Sequence, residues 1–178
     1  MKKRMRGFAA VALAAVPAVL GAVAVLGALQ RPHTTLPAGT RGRHVTVDGT
    51  RLRYVQEGSG SDVLLIHGSP GSVEDWQPVF DRLVPRFRVT AFDRPGHGYS
   101  EGDRLPHTPS ENARVTLALI RALGLREVVV VGHSYGGATA LRLGTSNPPE
   151  VRALVVVGSR AYPPVVVSTR GRRLCSSA

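Results

Sequence analysis

Cysteine is almost missing from this chain. The single thiol, Cys175, lies in the last few residues, which rules out a disulfide framework and any cysteine cluster with metal-ligand spacing. The chain can therefore be exported without needing oxidation to fold. Lysine is equally scarce: it occurs only at Lys2 and Lys3, so nearly all of the 23 basic residues are arginine. A net charge of +11 would suit a nucleic-acid or anionic-membrane binder, but the arginine skew reads as codon bias in a GC-rich genome. Aromatic residues make up only 5% of the chain, no basic helix face carries interleaved aromatics, and none of the usual nucleic-acid motifs occurs. Charge-driven binding stays a minor alternative, one that predicts affinity collapsing with salt. The densest charge lies at the two ends, in Lys2–Arg6 and Arg170–Arg173, where membrane flank and solvated tail are the plain readings. Finally, no histidine follows His133, and Glu150 is the only acidic residue after Ser134.

What is present is enough apolar sequence, 43% of 178 residues, for one domain with a sizeable core. That domain does not begin at the amino terminus. From Phe8 to Leu29 no residue is charged, and a membrane-spanning helix needs about 20 such residues. The segment over residues 1–30 reads as a signal anchor or a signal peptide. Ala22-Val23-Ala24 would suit a peptidase, while apolar sequence running on through Leu29 favours an uncleaved membrane helix. Basic residues precede the span and thin out after it, so the positive-inside rule expects the domain outside the cytoplasm, membrane-anchored or, after cleavage, secreted. Residues 31–42, rich in Pro, Gly and Thr, read as a linker.

Beyond the linker, His44–Val47, Asp48-Gly49 and Leu52–Tyr54 give alternation, a two-residue turn and alternation again, the signal of a β-hairpin. Val63–Ile66 is short and uniformly apolar, as expected of a strand buried on both faces. Pro78 marks the first turn of a helix whose apolar side is Val79, Phe80 and Leu83. Arg88–Phe92 is a further strand, and Thr108, Pro109 and Glu111 open a capped helix in which Ala113, Leu117, Ile120 and Leu123 recur until Gly124. Val128–Val131 and Leu154–Val157 read as two more buried strands, with a helix from Gly136 to about Ser146 between them. Strands alternating with helices specify an α/β fold with a mostly parallel sheet.

One short stretch concentrates chemistry. Gly132-His133-Ser134-Tyr135-Gly136 sits where a strand ends and a helix begins. Glycines on both sides allow an approach too close for a Cβ, and a sharp turn can lift the serine hydroxyl clear of the sheet. The same turn leaves the N–H of Tyr135 free at a helix amino terminus, where negative charge is favoured.

Three motifs in order resemble the α/β-hydrolase fold family: this elbow, the loop His67-Gly68-Ser69-Pro70-Gly71 after a buried strand, and the turn Asp93 to Ser100 with its D-x-x-G-x-G-x-S pattern. The resemblance runs from about Val45 to Gly158. It implies Ser134 as nucleophile for an ester, amide or related acyl substrate, with the backbone N–H groups of Ser69 and Tyr135 as the oxyanion hole. His67, Gly68, Gly132, His133 and Gly136 then support the loop and elbow; Pro70 has no N–H to donate. It implies no metal or organic cofactor and a small-molecule partner rather than nucleic acid. A serine at the elbow sets the chain apart from relatives with an aspartate nucleophile, such as haloalkane dehalogenases and epoxide hydrolases.

A serine hydroxyl needs a base and a group that orients the base. The family's order is serine, acid, histidine, and this sequence has no histidine in that position. Among the earlier ones, His133 reads as packed behind the strand, His67 and His97 as holding loop geometry, and His107 as solvated. Asp93 reads as a turn-stabilising carboxylate. Residues 160–178 carry no convincing helix or strand pattern and read as a frameshifted or prematurely ended frame, leaving residues 43–159 as a partial domain truncated after about the sixth strand. The edge Leu154–Val157 is then expected to be unpaired and aggregation-prone. The alternative reading is a catalytically inactive, membrane-tethered fragment or pseudoenzyme.

Overall fold

The computed structural model describes residues 35–102, 105–159 and 166–168. The chain divides into two units, residues 1–31 and 32–178, and only the second contains described residues. The expected membrane segment over residues 8–29 lies outside them. Among the described residues no helix is long and apolar enough to cross a membrane.

The hairpin forms as its turn chemistry dictates. β1 (Arg43–Val47) pairs antiparallel with β2 (Thr50–Glu57), Val47 opposite Thr50. Asp48 and Gly49 both have positive φ, 49° and 77°, the conformation a two-residue hairpin turn with matching twist requires. Next come β3 (Asp62–Ile66), a 3₁₀ turn (Val73–Trp76), α1 (Gln77–Leu83), β4 (Arg88–Phe92), α2 (Pro109–Ala122), β5 (Val128–His133), α3 (Tyr135–Gly144), β6 (Val151–Val157) and a short β7 (Val166–Ser168).

The sheet order is β1-β2-β4-β3-β5-β6-β7. β4, β3, β5 and β6 run parallel, while the hairpin and β7 join antiparallel at the two sides. The chain steps from β3 outward to β4 and then crosses back over β3 to β5. In an open α/β sheet such a reversal leaves a crevice at the carboxyl ends of the two central strands, the place where such folds bind ligands.

Two apolar clusters sandwich the sheet. On one face α2 and α3 bring Val115, Leu119, Ile120, Ala140 and Leu143 against Leu64, Ile66, Val128, Val130 and Leu154. The Thr108 hydroxyl accepts from the Glu111 N–H at 3.1 Å to start α2, as its spacing predicts. On the other face Trp76 and Phe80 cover Val63, Leu65, Val89 and Ala91. This second cover stops short, and so three expectations need correcting. Val79 points away from the core and is exposed. β5 and β6 are only part-buried or exposed on that face, because Val129 and Val131 reach just the margin of the Trp76 cluster and no described helix lies over Val155 and Val157. The edge of β6 is not wholly bare either: Ala153–Val155 pair with β7, since a run of β-branched valines within the irregular-looking tail is enough to extend an open edge.

Candidate active site

The elbow is built from three close approaches. A Cβ on Gly132 would strike the carbonyl of Gly136, and one on Gly136 would strike the carbonyl oxygens of Ile66 and His67. A Cβ on Gly137 would meet Val156 and Ser159. The first turn of α3 is therefore pressed onto the ends of β3, β5 and β6. Between them Ser134 takes φ 51° and ψ −113°, a region that L-residues seldom occupy. Such strain persists only where the surroundings over-determine it, and here backbone bonds from Ser134 N–H to Val157 O (2.8 Å) and from Gly137 N–H to Ser134 O (3.0 Å) do so.

The loop after β3 lies directly beside this serine. The place where Gly68 would carry a Cβ is 3.2 Å from Ser134 Cβ and 3.0 Å from His133 Nδ1, so any larger residue there would have to push these neighbours aside. The Ser69–Pro70 peptide is cis. Neither the Ser69 N–H nor the Tyr135 N–H meets an acceptor among the described residues. Both N–H groups are thus without a backbone partner on either side of the part-buried Ser134.

His67 holds this loop. It is fully buried; its Nε2 accepts from the Arg94 backbone N–H at 2.9 Å, so the ring proton resides on Nδ1 and is donated to Gly68 O at 2.8 Å. Burial, reinforced by the Arg94 charge, pushes its pKa down to about 3. A neutral ring with both nitrogens engaged is a loop clamp, as expected. His97 is similarly committed: Nδ1–H donates to Pro95 O (3.0 Å) while Nε2 accepts from Arg94 (3.2 Å), and burial lowers its pKa. Asp93 is the predicted turn carboxylate, accepting from the N–H of Val73 at 2.8 Å and of Tyr99 at 2.9 Å, with Arg53 at 3.3 Å. Burial pushes its pKa up against those partners. Ser100 closes the turn by donating to Asp93 O and accepting from Arg53 N–H.

His133 departs from expectation. Its side chain is exposed, with its ring 6.5 Å from that of Trp76 and edge-on to it, because the cover over β5 thins out toward the end of the strand. His107 is exposed as predicted, and its carbonyl accepts from the Tyr135 hydroxyl at 2.5 Å, tying the start of α2 to the elbow. Glu150 cannot serve as a triad acid. Its carbonyl takes the Val128 N–H at the start of β5, a strand length of about 20 Å from the elbow. Its carboxylate is engaged by Arg121 at 2.8 Å, which lowers its pKa. Among the described residues, nothing hydrogen-bonds the Ser134 hydroxyl.

Two residues near the site escape sequence reasoning. Arg94 is buried between the HG loop, Asn112, His97 and the Tyr135 ring, yet in an arginine-rich chain one more arginine carries no signal. Trp76 is buried with its indole N–H unbonded among the described residues, which no pattern forecasts.

The sequence pattern of the alpha/beta hydrolase fold family matches residues 63–173. A haloalkane dehalogenase of Agrobacterium fabrum is 33% identical over 123 residues, covering 69% of this chain and 40% of that protein. A non-heme haloperoxidase of Rhodococcus erythropolis is 40% identical over 124 residues, covering 68% and 44%. Among solved structures, that of E-2-(acetamidomethylene)succinate hydrolase superposes with a TM-score of 0.65 at 29% identity, covering 68% of this chain and 45% of that one. The chain thus spans about two-fifths of the length of the curated relatives it matches.

Proposed function

The chain belongs to the alpha/beta hydrolase fold family, and from that premise we propose that it carries the nucleophile and oxyanion site of a serine hydrolase acting on ester, amide or related acyl substrates. The observation that bears this reading is Ser134 in a strained positive-φ turn with the unpaired N–H groups of Ser69 and Tyr135 beside it. In the proposed reaction Ser134 Oγ attacks the acyl carbon and its proton passes to a base. The acyl oxygen, now anionic, is held by the two N–H groups until the leaving group departs; each such donor is worth about 10²–10³ in rate. Serine at the elbow makes an acyl intermediate, rather than an alkyl ester on a carboxylate, the product of attack. The uncharged run at residues 8–29 supports a membrane-directed protein with this domain outside the cytoplasm.

A second reading has its own observation. The 178 residues hold no histidine after the nucleophile, and no described side chain bonds its hydroxyl. On that reading the elbow is an inherited scaffold and the chain is catalytically silent. Hydrolysis of p-nitrophenyl acetate by the full chain separates the two: release of nitrophenolate above the rate of a Ser134→Ala variant supports the hydrolase, and equal rates support the silent scaffold.

A further inference from the structure

Arg94 is a buried cation, 1% exposed, that no carboxylate among the described residues neutralises. Its partners are all neutral: Nη2 donates to Gly68 O at 2.9 Å and to His97 Nε2 at 3.2 Å, Nε donates to His67 O at 3.2 Å, and Nη1 lies 3.5 Å from Asn112 Oδ1. The guanidinium carbon sits 4.6 Å from the centre of the Tyr135 ring. Burying a charge without a counter-charge is costly, so a position that retains one invites a functional account.

The geometry supplies it. Gly68 C=O and Ser69 N–H belong to the same planar trans peptide, so they point in opposite directions. A guanidinium bound to the carbonyl, beside the His67 Nδ1–H on the same oxygen, helps fix which way the N–H faces, and its charge-assisted bond polarises the N–H into a stronger donor. The same group packs beneath the ring of Tyr135, whose own N–H is the second donor. One side chain therefore touches both halves of the oxyanion site from behind.

We propose that Arg94 is the positioning residue of this site: it orients the Ser69 and Tyr135 N–H groups toward the acyl oxygen on Ser134 and supplies an uncompensated positive charge that favours the anion formed there. The proposal rests on the acyl-hydrolase reading for the anion but not for the orientation of the peptide, and the test separates them. The full chain, labelled with ¹⁵N-serine and ¹⁵N-tyrosine and held in detergent micelles, is compared with its Arg94→Met and Arg94→Lys variants. The Ser69 and Tyr135 amide resonances are expected to move in Arg94→Met while other labelled amides stay in place, and to return part of the way in Arg94→Lys. Acylation by p-nitrophenyl acetate is expected to fall about 10²-fold in Arg94→Met with partial rescue in Arg94→Lys. Unmoved Ser69 and Tyr135 amides in Arg94→Met overturn the proposal. So does a spectrum that collapses in both variants, which marks Arg94 as a purely structural cation. If the unaltered chain fails to turn over the ester, the hydrolase reading falls, and the Ser69 and Tyr135 amides alone decide whether Arg94 orients the loop.

Discussion

β3 and β5 lie side by side, are written in similarly apolar residues, and end at the two halves of the site, yet they are buried differently. Every position of β3 is buried, whereas β5 is buried at alternate positions. The difference comes from what lies above them. Trp76 and Phe80 cover β3 on the face opposite α2 and α3, whereas Val129 and Val131 of β5 pack only at the margin of that cluster, part-buried, and His133 is exposed. The functional groups follow the same division. The β3 side carries a loop clamped by His67 and Arg94, while on the β5 side the Ser134 hydroxyl meets no partner among the described residues. A strand's own residues decide that it forms, and its neighbours decide whether both of its faces count as interior.

Four measurements test how far the two strands differ. The largest effect is expected where the two strands meet: Gly136→Ala drives a Cβ into the carbonyls of Ile66 and His67, and the cost should exceed about 4 kcal/mol, enough to abolish cooperative urea unfolding. A variant melting like the parent would mean that α3 does not press on β3. Next, Leu65→Ala on β3 and Val131→Ala on β5 both truncate residues on the less covered face. The first should cost roughly 2–5 kcal/mol in urea titrations and the second about 1. Equal costs would remove the distinction between the strands.

An effect between those two is expected from pH, and it comes chiefly from His67 in the loop after β3. His67 titrates near 3 when folded and near 6.5 when unfolded, so between those values the unfolded chain binds the extra proton. Its contribution is complete above pH 6.5 and is lost as pH falls toward 3. By pH 5 the loss is about 2 kcal/mol from this ring, with His97 acting in the same direction. The urea midpoint should drop between pH 7 and pH 5, and a flat or rising midpoint would contradict the buried neutral ring.

Much of this was readable from sequence because it depends on local rules. The Asp48-Gly49 turn, the Thr108 cap, the Gly124 stop and the glycines of the elbow are each fixed by backbone sterics within a few residues. The exposure of His133 and Val79 was not readable, since it depends on whether another element covers that face. Arg94 was hidden for a related reason. Its importance lies in touching Gly68 and Tyr135, which are distant in sequence, and no spacing rule links them. The pairing of β7 turned on Val166, Val167 and Ser168, in a stretch with no alternation to announce a strand.

The proposed function stands on Ser134, and no other residue, acting as the nucleophile beside the Ser69 and Tyr135 N–H groups. Its most direct test is reaction of the full chain with a fluorophosphonate probe, followed by mass spectrometry of the digested protein. The account predicts one adduct, on the peptide containing Ser134, that disappears in Ser134→Ala. An unlabelled chain, or an adduct that survives that substitution, would contradict it.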